Sequence, residues 1–88
     1  MKAFKAIYKG HVQGVFFRAK TLDISARYDV VGTVKNMPDG SVELIAEGNE
    51  KDVQEFIEEV RKAKASHIEN LDVSEIEVEG YPDFRIGY

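Results

Sequence analysis

The chain has 88 residues, a net charge of −4, 43% apolar and 32% charged residues, and no cysteine. That length bounds it to a single domain over residues 1–88 with most apolar residues committed to the core, and the composition excludes a disordered chain. Disulfides, thiol nucleophiles and cysteine-ligated metals are excluded with the cysteines, and the acidic balance argues against a nucleic-acid partner, so any anionic ligand must be held by a local positive device.

Residues 2–9 alternate around Phe4, Ala6 and Tyr8, which predicts a strand leading to Gly10 and Gly14. From Phe17 to Tyr28 the period changes. Phe17, Thr21, Ile24 and Tyr28 share one face of a helix, while Ala19, Leu22 and Ala26 form a second stripe, so the pattern leaves the buried face open. Asp29 is expected to close this helix in the left-handed conformation. Val30 to Asn36 is β-branched and strand-like, and Pro38-Asp39-Gly40 predicts a hairpin into a strand over 41–47. There Val42, Leu44 and Ala46 alternate against Ser41, Glu43 and Glu47.

Asn49 is a good N-cap for a helix over 50–64 whose apolar face is Val53, Phe56, Ile57 and Val60. A connection over 66–70, a strand over 71–79 with an irregularity at Ser74-Glu75, a turn at 80–83 and a short strand over 84–86 complete the chain. The order β-α-β-β-α-β plus a short C-terminal strand predicts an α+β class, ferredoxin-like split βαβ sandwich, with an antiparallel sheet carrying both helices on one face. The closing segment reaches Tyr88 with no trailing linker, which favours a free-standing protein.

Two glycines where a strand gives way to a helix let the backbone approach a ligand, and the helix start adds unpaired N–H groups and its positive dipole end. Arg18 stands at that helix start and offers a planar fork suited to phosphate. Taken alone, the pattern also fits a structural turn beside a solvated arginine.

The whole segment Gly10-His11-Val12-Gln13-Gly14-Val15-Phe16-Phe17-Arg18 closely resembles the acylphosphatase signature glycine-x-Val-Gln-Gly-Val-x-Phe-Arg. Gly32-Thr33-Val34-Lys35-Asn36-Met37-Pro38-Asp39-Gly40-Ser41-Val42 resembles the family's second signature, with Gly48 also in place and an ending, Phe84-Arg85-Ile86, like its final strand. The resemblance spans nearly the whole chain. It implies the same fold and an enzyme that hydrolyses the carboxyl–phosphate bond of small acyl phosphates. It also implies roles. Arg18 is similar to the phosphate-binding arginine, and His11, Val12, Gln13, Gly14, Val15, Phe16 and Phe17 are similar to the phosphate-binding loop. Asn36 is similar to the catalytic asparagine that orients the attacking water.

An amide takes no proton at neutral pH, so Asn36 can only aim a water. A carboxylate leaves without a general acid, and phosphoryl transfer depends on positioning and charge stabilisation. The resemblance therefore implies no cofactor and no metal, an acyl phosphate as substrate, and inorganic phosphate as product and competitive inhibitor. A cytoplasmic monomer with no nucleic-acid or membrane partner is expected. It leaves two alternatives: a non-catalytic anion-binding or regulatory module of this fold, and an acylphosphatase-like domain of a larger carbamoyl-transfer protein.

Thr33 departs from the family's usual aromatic residue, but on a strand it faces away from Asn36, so a packing change is expected. His11 and His67 are read as surface residues. The acids Glu43, Glu47, Glu50, Asp52, Glu55, Glu58 and Glu59 are read as mostly a solvated face. Phe16 and Phe17 could suggest base stacking, but the ribonucleoprotein pattern is missing, and Phe17 is read as core.

Overall fold

The computed structural model describes residues 1–87. In chain order it contains β1 (Lys2–Gly10), α1 (Phe17–Ser25), β2 (Val30–Asn36), β3 (Val42–Gly48), α2 (Glu50–Ala63), a 3-10 turn (Ala65–His67), β4 (Ile68–Ile76) and β5 (Phe84–Ile86). One five-stranded sheet runs in the order β4-β1-β3-β2-β5. The first four strands pair antiparallel, whereas β5 lies parallel to β2, with Gly32 opposite Phe84 and Val34 opposite Ile86. The expected α+β sandwich is therefore present, with a mixed sheet in place of a wholly antiparallel one. The core forms where Phe4, Ala6 and Tyr8 of β1, Val30 and Val34 of β2, and Val42, Leu44 and Ala46 of β3 meet the helices.

The structure resolves the two stripes of α1. Phe17, Thr21 and Ile24 are buried and Leu22 is exposed. The Thr21 hydroxyl donates to the Phe17 carbonyl at 2.9 Å, which satisfies a hydroxyl with no access to water. The helix ends three residues earlier than its periodicity predicts, because its last turn tightens. Arg27 and Tyr28 donate to the carbonyls of Ile24 and Ser25, three residues back, at 3.0 and 3.1 Å. The tightened turn removes the need for a left-handed residue at Asp29, and its φ is not positive. In α2 the Asn49 side chain accepts from the Lys51 N–H as expected, and Glu50 and Asp52 at its start and Arg61 and Lys62 at its end complement the helix dipole.

Gly32 shows why the second signature begins with glycine. A Cβ there would lie 1.8 Å from the Ile45 carbonyl oxygen across the β2–β3 ladder. At the hairpin tip the Gly40 N–H returns to the Met37 carbonyl at 3.1 Å and the Met37 N–H donates to the Ser41 carbonyl at 2.9 Å.

Two expectations fail in the C-terminal third. β4 both starts and ends three residues earlier than the sequence pattern suggests, and its irregularity lies opposite Lys9 and Gly10, not at Ser74-Glu75. The physical reason is the partner strand. Ile76 faces Ala3, one residue from the first residue of β1, and the ladder ends there. Residues 77–83 instead carry the chain from one edge of the sheet to the other. Glu47 anchors that strap. It belongs to no solvated face: it is 0% exposed, and its carboxylate accepts from the N–H groups of Glu79, Gly80 and Tyr81 at 2.5, 3.0 and 3.1 Å. Tyr88, where the sequence places the end of the closing segment, lies outside the described residues.

Glu47→Ala would leave those N–H groups without an acceptor. The expected loss is on the order of 3 kcal/mol, which for a domain of this size lowers Tm by roughly 10–20 °C. Thermal unfolding followed by circular dichroism checks it; an unchanged midpoint contradicts the anchoring role.

Candidate active site

The loop between β1 and α1 is built by a few fixed points. The His11 N–H donates to the His67 carbonyl at 2.9 Å, and the Val12 side chain is fully buried. The two N–H bonds of the half-buried Gln13 amide reach the carbonyls of Met37 and Ser41 at 2.8 and 2.9 Å. This ties the loop to the β2–β3 hairpin that follows Asn36. Gly14 takes a φ of +77°, a conformation that side chains rarely adopt. The Val15 carbonyl accepts from the Lys64 ammonium at 2.7 Å.

Phe16 is the unusual residue. It is left-handed, with φ 61° and ψ 27°, although it is bulky and 83% exposed. It immediately precedes the right-handed Phe17, whose ring is buried with its centroid 5.1 Å from that of Tyr8. A left-handed residue followed by a right-handed one turns successive N–H groups to the same side, the nest arrangement that holds anions. Among the described residues, the N–H groups of Gly14, Val15, Phe16 and Phe17 have no backbone acceptor. The start of α1 also has no side-chain cap and no acid in its first turn, in contrast to α2.

A cleft of about 250 Å³ opens at this junction, lined by Val12, Gly14, Phe16, Phe17, Arg18, Ala19, Asn36 and Ile86. It suits a ligand smaller than a typical drug-sized molecule. Arg18, half-buried in the first turn of α1, and Asn36, exposed at the end of β2, come from separate elements and meet on it. Of the loop residues singled out by sequence, Val12, Gly14, Phe16 and Phe17 line the cleft. His11, Gln13 and Val15 do not. The His11 N–H is already taken by His67, and Gln13 and Val15 act through the hairpin and Lys64. Thr33 sits on the sheet face away from the helices, beside Gly87, where an added Cβ would lie 2.9 Å from its hydroxyl.

Sequence reasoning missed Ala19 and Ile86 as lining residues, and it missed Lys64 altogether. Ile86 could have been suspected from the family's final strand, but nothing local marks Lys64, which lies 49 positions from its partner. No group of three or more His, Asp or Glu side chains among the described residues could hold a metal, and no helix among them is long and apolar enough to cross a membrane.

This is a ferredoxin-like α+β protein with an arginine, an asparagine and backbone N–H groups that lack a backbone acceptor among the described residues on one cleft. The acylphosphatase family model matches residues 4–86. An acylphosphatase of Thermotoga petrophila is 45% identical over 100% of this chain and 99% of its own length. The crystal structure of acylphosphatase from Bacillus subtilis superposes with a TM-score of 0.92 at 37% identity, covering 100% of both chains. HypF of T. kodakarensis contains a similar unit, at 33% identity and a TM-score of 0.85, over 100% of this chain but 12% of its own. The chain belongs to the acylphosphatase family.

The hairpin that carries Asn36 depends on a titratable group. The Ser41 hydroxyl and N–H both donate to Asp39 Oδ1, at 2.6 and 2.9 Å, and these bonds hold the Asp39 carboxyl below its usual value. A depressed folded pKa stabilises above the unfolded value of about 3.9, and that contribution is lost as pH falls through the folded value. Acidification below about pH 4 is therefore expected to loosen the turn. Faster exchange of the Ser41 amide relative to mid-strand amides of β3 checks it, and Asp39→Ala should show the same exchange already at neutral pH.

Proposed function

We propose that this protein is an acylphosphatase that hydrolyses the carboxyl–phosphate bond of small acyl phosphates to a carboxylate and inorganic phosphate. The observation that carries the reading is the meeting of Arg18 and Asn36 on a cleft also lined by Gly14, Phe16 and Phe17, whose N–H groups have no backbone acceptor among the described residues.

Arg18 and the loop N–H groups hold the phosphoryl oxygens and stabilise the charge that gathers on them. The Asn36 amide aims a water at phosphorus in line with the acyl oxygen. The water oxygen bonds to phosphorus as the bond from phosphorus to the acyl oxygen breaks, and that electron pair leaves on the carboxylate. The water's proton passes to a phosphate oxygen. A carboxylate needs no protonation to depart, so the sequence of steps calls for neither a general acid nor a metal. Product phosphate fits the same cradle and inhibits competitively. The working unit we propose is a monomer, and the absence of cysteine fits the cytoplasm.

Benzoyl phosphate hydrolysis tests this. Arg18→Ala is expected to lose about 3–5 kcal/mol of transition-state stabilisation, because the phosphoryl charge is left partly unpaired. Asn36→Ala is expected to lose about 3 kcal/mol, the scale of a removed oxyanion donor. Turnover by Arg18→Ala within a few-fold of the unaltered chain would remove Arg18 from the mechanism, and normal turnover by Asn36→Ala would remove the water-aiming step. Phosphate binding without any hydrolysis would instead make the chain a non-catalytic module.

A further inference from the structure

We infer that Lys64 is a positioning residue for the phosphoryl site, which sets the direction of one peptide plane in the anion cradle. The inference rests on the reading of the 11–17 loop as that cradle.

Lys64 lies just beyond α2, outside the cleft, and its ammonium donates to the Val15 carbonyl at 2.7 Å. The Val15–Phe16 peptide is trans, so its carbonyl and the Phe16 N–H point in opposite directions. Phe16 lines the cleft and Val15 does not. Drawing the Val15 carbonyl toward Lys64 therefore turns the Phe16 N–H toward the cleft, as the first donor of the nest formed by Phe16 and Phe17. A flip of this plane would present a carbonyl oxygen to the phosphoryl group instead.

The plane needs such a hold. A bulky residue in the left-handed region persists only where its surroundings over-determine it. Phe16 cannot anchor itself, because its side chain is exposed. On its C-terminal side the Phe16 carbonyl accepts from the Lys20 N–H at 3.0 Å, and Phe17 is buried. On its N-terminal side the hold on the adjoining carbonyl is Lys64.

Lys64 is itself rooted in place. Its N–H donates to the Val60 carbonyl at 3.1 Å and its carbonyl accepts from the His67 N–H at 2.9 Å. The helix before it is packed through Val53, Phe56, Ile57 and Val60. A charged donor on a rigid base gives a directed, charge-assisted bond, and it also adds positive charge behind the cradle.

The test is a titration of the full chain with inorganic phosphate, following the amide resonances of Phe16 and Phe17. Lys64→Met keeps the apolar stem and removes the donor; phosphate should bind roughly tenfold more weakly, the scale of a hydrogen bond to a charged group. Lys64→Arg keeps a long cationic donor and is expected to recover most of the affinity. Lys62→Met removes the same charge from an exposed position on the same helix and should leave the affinity within about twofold, since exposed charges are screened. Should Lys64→Met fail to fold, Lys64→Gln against Lys64→Arg makes the same comparison, with Arg expected to bind phosphate more tightly.

Unchanged phosphate affinity in folded Lys64→Met overturns the inference, and so does an equal loss in Lys62→Met, which would make the effect one of bulk charge. Absence of any phosphate-induced shift in the unaltered chain overturns both the inference and the cradle. Lys64-dependent phosphate binding without benzoyl phosphate turnover would sink the enzyme assignment and leave the positioning role standing.

Discussion

A phenylalanine held in the left-handed region stores on the order of 1–3 kcal/mol of strain, and the arrangement around Phe16 in this protein resists its release. Phe17 is sunk beside Tyr8 on one side, and the Val15 carbonyl is fixed by Lys64 on the other. Gln13 fastens the loop to the hairpin carbonyls of Met37 and Ser41. What the strain maintains is a row of N–H groups without backbone acceptors among the described residues. An isolated row of this kind is unfavourable unless water or a ligand satisfies it, which is the arrangement the proposed phosphate cradle uses, and the fold supplies the energy that keeps it open.

The sheet order then brings the chemistry together. β1 and β2 are not neighbours; β3 lies between them. The loop after β1 and the end of β2 still emerge at the same end of the sheet, because both strands run antiparallel to β3. Arg18 and Asn36, far apart in sequence, consequently need no long excursions to face one cleft. The hydrogen bonds of Gln13 bridge the same gap at the backbone level. Positioning of this kind is what a loose phosphoryl transition state demands of a protein.

The parts legible in sequence were those with a local signature. Alternation and helical spacing revealed the element order, Asn49 its cap, and the glycine-rich segment its backbone freedom. The pairing of Arg18 with Asn36 came from the resemblance of two motifs to a known family. What stayed hidden depended on partners distant in the chain. Glu47 reads as one more acid in an alternating strand, and only the strap that covers it makes it a buried anchor. Lys64 reads as one of several basic residues at a helix end. The end of β4 was misplaced because alternation continues past Ile76 in the sequence, while the ladder stops at Ala3, one residue from the start of the partner strand. Asp29 was misassigned because the helix stops through a tightened turn, a choice that tertiary packing makes.

The strap and β5 are one continuous stretch of chain at the edge of the sheet. Its three-residue strand has one neighbour in the sheet, and beside that parallel ladder it is held by the bonds Gly32 N–H to Asp83 carbonyl and Gly87 N–H to Val34 carbonyl, the Glu47 contacts, and the packing of Phe84 and Ile86 against the core, Phe84 edge-on to Phe56. A three-residue edge strand with a single neighbour opens at a lower free energy than the central strands. Ile86 is at once part of this stretch and part of the cleft wall. The completeness of the candidate cleft is therefore linked to a short edge segment of the sheet, and a carboxylate on the opposite side of β3 from the helices helps to hold that wall in place.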